Sequence, residues 1–241
     1  MRQFDDVWKK NELKPWRTQR FCIPPEQNAA FVQAMEDVLE VYRRPYDPKR
    51  PQICIDETSK QLLEHTRIPV PATPGTPQRV DDEYKRCGTA NIFLCVEPLT
   101  GKTVVKATEH RTKIDFALFI RDLCDGPYRF ADRIVVVMDN LNTHSLASLY
   151  EAFPPAEARR IAEKLEIHYT PKHGSWLDIA EIELSVLSRQ CLDQRIDSLS
   201  TLKEILASWE ARHNAEAHCV MWRFTTNDAR IKLRRLYPVL R

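Results

Sequence analysis

Five consecutive residues, Ile-Val-Val-Val-Met at 134–138, constrain this chain more than any other stretch. Four are β-branched, and side chains alternate across a strand, so a strand here carries apolar groups on both faces. Such a strand needs cover on both sides. It belongs in the middle of a sheet with a layer of helices on each face.

The rest of the chain supplies those layers. Phe31, Met35, Val38, Leu39 and Tyr42 recur at helical spacing and predict a helix over 26–43. The stretch RRPYDPKRP (43–51) reads as a linker, and ICIDET (53–58) as a short strand. IPVPATPGTP (68–77) is too proline-dense for a central strand. TANIFLCVEP (89–98) and TVVKATEH (103–110), joined by Leu-Thr-Gly-Lys, predict a hairpin. A helix is expected over 112–126, ending at Gly126, with further helices over 144–153, 155–165, 178–192 and 199–214. EIHYTP (166–171) is a short strand stopped by Pro171. This order predicts an α/β fold, a mixed sheet flanked by helices.

Composition removes several functions. Five glycines cannot build a GxGxxG or a GxxxxGK[ST] word, so a nucleotide cofactor is not expected. The seven cysteines are scattered and form no Cys-x-x-Cys, which argues against a zinc ribbon and a disulfide framework and suits a reducing cytosol. No apolar run approaches the ~20 residues that span a bilayer, and MRQFDDVWKK has no apolar stretch of the secretory kind. Lys and Arg are in excess at both ends; residues 222–241 carry six against one Asp, while the middle of the chain is net acidic. Basic ends around an acidic centre suit a nucleic-acid partner and a cation-binding core, or equally an ordinary solvated surface.

Asp56 and Asp139 each end a strand-like run. In open α/β sheets sites form at that edge. Adjacent acids repel unless a cation neutralises them or a proton is kept. Clustered carboxylates favour Mg²⁺ or Mn²⁺, and two such ions can activate an attacking water and stabilise the leaving oxygen of a phosphodiester. HGSWLDIAEIEL (173–184) adds Asp178, Glu181 and Glu183. Asp178 and Glu181 share a helix face, ~4.5 Å apart along the axis. They also match a reciprocal helix cap. Glu181 folded back on the Asp178 amide would mark a cap; Glu181 free beside Asp56 and Asp139 would mark a metal ligand. Glu183 is turned ~200° from Glu181 and is expected to be peripheral. Glu57 points to the face opposite Asp56 and is excluded as a ligand.

The words CIDE (54–57), VVVMDNLNTH (135–144), YTPKHGSWLDIAEIELSVLSRQ (169–190) and DARIKLRRLYP (228–238) resemble the DDE catalytic domain of bacterial insertion-sequence transposases. The branch is insertion-sequence family 630, related to the mariner transposases. The spacings, 83 residues from Asp56 to Asp139 and 42 from Asp139 to Glu181, suit that family. The resemblance implies a ribonuclease-H-like fold and assigns Asp56, Asp139 and Glu181 as catalytic metal ligands for Mg²⁺ or Mn²⁺, two ions. It implies hydrolysis at transposon ends, then attack of the freed 3′ hydroxyl on target DNA, commonly at a TA dinucleotide. The implied state is a homodimer or higher assembly on DNA in the bacterial cytosol, with no membrane partner. Rival readings are another ribonuclease-H-like nuclease of the resolvase type and a non-catalytic DNA-binding remnant or regulator.

Two departures stand out. Asp178 replaces the Asn usual in close relatives. Only DVWKKNELKPWR (6–17) resembles the end of the family's helix-turn-helix region, so the chain reads as the back half of a transposase, a truncated copy or a second reading frame. The expected division is 1–20, remnant of that DNA-binding region; 21–50, helix and linker; 51–221, catalytic domain; and 222–241, basic C-terminal tail. Around the acids, Asn140, Asn142 and His144 read first as turn and cap chemistry, then as positioning groups for the Asp139 loop. Lys172 and His173 are candidate DNA contacts, and Trp176 is either core or a stacking platform. Arg230, Lys232, Arg234 and Arg235 are candidate phosphate contacts or a subunit contact. His213 and His218 share no helix face and are not expected to form a metal pair.

Overall fold

The computed structural model describes residues 27–239. The expected helix-turn-helix remnant, 1–20, lies outside them. The sheet has five strands: β1 (Gln52–His65), β2 (Tyr84–Glu97), β3 (Lys102–Thr108), β4 (Ile134–Met138) and β5 (Leu165–Tyr169), in spatial order β3-β2-β1-β4-β5. The first three pair antiparallel; β4 joins β1 and β5 in parallel.

Among the described residues there are seven α-helices: α1 (Ala29–Tyr42), α2 (Lys113–Asp125), α3 (Ala147–Ala152), α4 (Pro155–Lys164), α5 (Ile179–Leu187), α6 (Leu199–Glu216) and α7 (Thr226–Lys232). The alternation of β4 sorts them into two layers. Ile134, Val136 and Met138 pack with Ile53, Ile55, Phe93 and Cys95 under α2, α3 and α4. Val135 and Val137 pack with Cys54, Ile92 and Leu94 under α1, α5, α6 and α7. All five β4 residues are buried, as a strand covered on both sides requires. Local signals set the helix ends. Thr112 and Asp115 make a reciprocal cap on α2, and Asn28 and Ser198 cap α1 and α6. On α6, Leu202 and Leu206 are fully buried; side chains of that kind stabilise by ~1.5–3 kcal/mol each, so packing rather than propensity holds the helix.

β1 runs far beyond the short strand expected over 53–58. Its second half pairs with the start of β2, with a bulge between Leu62 and Leu63 near Gly88, whose φ of 111° suits glycine. That ribbon is mostly exposed, so no apolar alternation announces it. After α5 the chain continues as one π turn, Ser188–Leu192, in place of the longer α-helix expected. Residues 222–239 do not form the expected tail. α7 and the turn Arg234–Leu236 fold onto α1, and Ala229 and Leu236 are fully buried in the core. Among the described residues, no helix is long and apolar enough to cross a membrane.

Candidate active site

The last parallel pair between β1 and β4 is Ile55 with Met138. One residue further, Asp56 and Asp139 stand side by side where β4 ends and β1 continues. Alternation sends Asp56 to the side of Cys54, toward the layer that contains α5, whereas Asp139, one residue past β4, is held through its Oδ1 by His144. Asp56 is held by its own strand: its Oδ1 accepts from the Glu57 amide at 2.8 Å.

α5 brings the third acid. Ile179, Ala180, Leu184 and Leu187 are buried, which turns Glu181, Ile182 and Ser185 outward. Asp178 is the N-cap, with Oδ1 accepting from the Ala180 amide at 2.9 Å. The Asp178 amide donates to the Ser175 carbonyl at 2.8 Å, not to Glu181. The reciprocal cap is absent, and the Glu181 carboxylate is left free of it.

The electrostatics show that these acids share one locale. Burial, reinforced by the charges of Glu57, Asp139 and Glu181, pushes Asp56 up to about 7, against the opposing bond from the Glu57 amide. Burial, with Asp56, Glu181 and Asp139 nearby, pushes Asp178 well above the carboxylate range, and its Oδ2 is buried without a partner. Oxygen-only donors carrying mutually unfavourable negative charge fit a hard divalent cation. They are not drawn into a coordination sphere as they stand. Among the described residues, no three His, Cys, Asp or Glu side chains converge closely enough to hold an ion.

Behind Asp139 lies a contact of which sequence reasoning names one member, His144, and misses the other, Glu57. His144 is fully buried; its Nδ1 donates to Asp139 Oδ1 at 2.5 Å, and its Nε2 lies 2.8 Å from Glu57 Oε2. Arg111 stands 3.2 Å from the other Glu57 oxygen. Burial disfavours a charged His144 ring, but the bonds to Asp139 and Glu57 outweigh it and hold its pKa up at about 10. Glu57 does face away from Asp56, as its position predicts, yet it is buried. An acid directly after a strand-end Asp, on the inward face, needs a partner, and that requirement is the available signal. Glu183 is a second correction. It is buried rather than peripheral, because it lies on the apolar face beside Ala180 and Leu184, and its Oε1 meets His213 Nε2 at 2.7 Å. His213 in turn stacks on Trp209 at 4.5 Å.

The remaining candidates separate. Lys172 and His173 are exposed in the loop before α5, where His173 takes a φ of 65°. A Cβ at Gly174 would meet the Pro171 ring at 2.5 Å, so this tight loop requires glycine. Trp176 packs edge-on against Phe224 at 5.8 Å with its ring nitrogen buried, a core position rather than an open platform. Arg230 is bound in a fork to Glu36 at 2.8 and 2.9 Å. Lys232 sits 3.7 Å from Asp228. Arg234 and Arg235 are exposed, and Asn140 and Asn142 are exposed beside Asp139.

Strand order and two helical layers define a ribonuclease-H-like fold, with Asp56 and Asp139 at the ends of its central strands. The model of the family described as DDE superfamily endonuclease matches residues 51–203. The chain belongs to that family, and residues 51–203 carry its endonuclease domain. Solved structures with the same fold include the Mos1 strand transfer complex, with TM-score 0.58 and 16% identity over 90% of this chain and 66% of that one. The Mos1 mariner paired end complex with Mn gives 0.55 and 16% over 90% and 68%. The paired end complex with Mg gives 0.56 and 17% over 98% and 72%. This chain therefore spans about two thirds of the length of those proteins. No curated protein sequence matches it.

Proposed function

We propose that this chain is the catalytic part of a DNA transposase of the insertion-sequence family 630 branch, cutting transposon ends and joining the freed 3′ hydroxyl to target DNA at TA dinucleotides. The observation that carries the reading is the parallel β1–β4 register, which sets Asp56 beside Asp139, together with a Glu181 not spent on its helix cap. Asp56, Asp139 and Glu181 would hold Mg²⁺ or Mn²⁺ as a pair of ions, since carboxylates can bridge two cations. Bound there, the ions would supply nucleophile activation and charge neutralisation at the scissile phosphate. Mos1 complexes named with Mn and with Mg support the choice of cation.

The chain's own residues do the positioning. Asp178 fixes the start of α5, so the Glu181 backbone is set by the cap. The glycine-dependent Pro171–Gly174 turn presents Lys172 and His173 at the DNA-facing edge. Arg234 and Arg235 would meet backbone phosphates. Residues 51–221 form the catalytic unit in this reading. The activity would be expressed in a homodimer or higher assembly on DNA, with end recognition supplied by a helix-turn-helix region.

The test is a cleavage and strand-joining assay on terminal-repeat DNA with Mg²⁺ or Mn²⁺, comparing wild type with Asp139→Asn, with and without a helix-turn-helix part in trans. Joined products that vanish in Asp139→Asn support a transposase. Cleavage without joining supports the resolvase-type nuclease, and equal activity in both proteins refutes the acid site.

A further inference from the structure

We propose that Glu57 and His144 are positioning residues: a buried relay that fixes Asp139, and with it the spacing of the two strand-end acids, for cation binding. The inference rests on reading Asp56, Asp139 and Glu181 as the metal-holding acids.

The geometry carries it. The side chains of His144 and Glu57 are 0% and 1% exposed, whereas that of Asp139 is 37% exposed. Asp139 follows the last residue of β4, so strand pairing does not restrain it. His144 supplies the restraint by taking one oxygen of Asp139 through Nδ1 and leaving the other available. The ring is itself fixed from two sides, and the backbone of His144 from a third. Glu57 meets Nε2, Phe116 lies against the ring at 4.8 Å, and the Tyr169 hydroxyl donates to the His144 carbonyl at 2.8 Å. Ser148 closes the loop by donating to the Thr143 carbonyl at 2.8 Å. Ionised carboxylates only accept, so facing two of them makes both ring nitrogens donors. No hydrogen-bond partner other than this ion pair reaches Glu57 Oε2 or His144 Nε2 among the described residues.

Burying two ionisable groups costs free energy that an apolar pair beside Phe116 would not. The pair does something an apolar pair does not. Glu57 directly follows Asp56 on β1, and alternation sends one to each face of the sheet. The relay therefore ties the Asp56 strand to the Asp139 loop from the face opposite the candidate metal. Outer groups of this kind typically change metal affinity or activity by about 10–100-fold when removed.

The test uses the full chain, titrating Mn²⁺ and reading the midpoint of cation-dependent thermal stabilisation. Glu57→Ala and His144→Ala should each raise that midpoint about 10–100-fold. The double variant should be no worse than the poorer single one, since both act through one contact. His144→Asn keeps an N–H near the Nδ1 position and should recover most of the affinity; adding Glu57→Ala to it should change nothing. Unchanged midpoints, or additive losses, overturn the relay even if melting in EDTA is lowered. If Glu57→Ala does not fold, Glu57→Leu decides: it fills the buried space but offers no acceptor to His144 Nε2, and an unchanged midpoint overturns the proposal. Asp139→Asn separates the two readings. If it responds to Mn²⁺ like wild type, the acid site itself fails. If it loses the response while the Glu57 and His144 variants keep theirs, the relay alone fails.

Discussion

Replacing Asp56 by asparagine should stabilise the metal-free protein. The Asp56 carboxyl is raised from 3.8 to about 7, first by burial and then by neighbouring acids. Between those values the folded state keeps a proton that the unfolded chain has released. Stability therefore falls as pH rises from about 4 and levels off above about 7. A displacement of that size corresponds to ~4 kcal/mol, at about 1.36 kcal/mol per pH unit. Halving it for partial exposure, and for the part shared with Asp139 and Glu181, leaves ~2 kcal/mol. In a chain of this size that is a rise of about 4–8 °C in melting temperature. The amide oxygen that the substitution introduces can still accept from the Glu57 N–H, as Asp56 Oδ1 does, so the local turn should survive. The assay is thermal unfolding in EDTA at about pH 4 and about pH 8, then with Mg²⁺. The gain should be near zero at the acid value and full at the alkaline one, and Mg²⁺ should stabilise wild type but not Asp56→Asn. No gain at the alkaline value, or the same gain at both, would refute the electrostatic argument.

Other outcomes follow from the same contacts. Glu181→Gln should abolish cleavage while circular dichroism shows an intact helical content, because Asp178 rather than Glu181 caps α5. Glu183→Ala strands His213 in the core and should cost ~3–5 kcal/mol in urea unfolding, with little change in the Mn²⁺ midpoint. Arg234→Ala with Arg235→Ala should flatten the log–log salt slope of DNA binding by about 2, whereas Arg230→Ala should lower stability through Glu36 and leave the slope nearly unchanged.

Much of this architecture is legible in the sequence because its signals are local. The β-branched run at 134–138 demands a two-sided sheet, and the apolar spacing of α1 and the Thr112 cap mark their helices directly. The adjacency of Asp56 and Asp139 follows once two strand ends are recognised and paired. What stays hidden depends on distant partners. The outer half of β1 is a strand because β2 pairs with it, not because its side chains alternate in polarity. Glu183 reads as peripheral while its acid type outweighs its position on the apolar face of α5, and His213 is thirty residues away. Glu57, judged only as a ligand, gives no hint of His144 on the other face. The basic segment after 222 reads as a tail until Glu36 appears opposite Arg230.

The most direct test of the acid site is anomalous scattering at the manganese edge from crystals of the chain with cleaved terminal-repeat DNA and Mn²⁺. Peaks are expected about 2.1 Å from carboxylate oxygens of Asp56, Asp139 and Glu181, with His144 still on the other oxygen of Asp139. Peaks elsewhere, or Glu181 turned back onto the Asp178 amide, would contradict that arrangement.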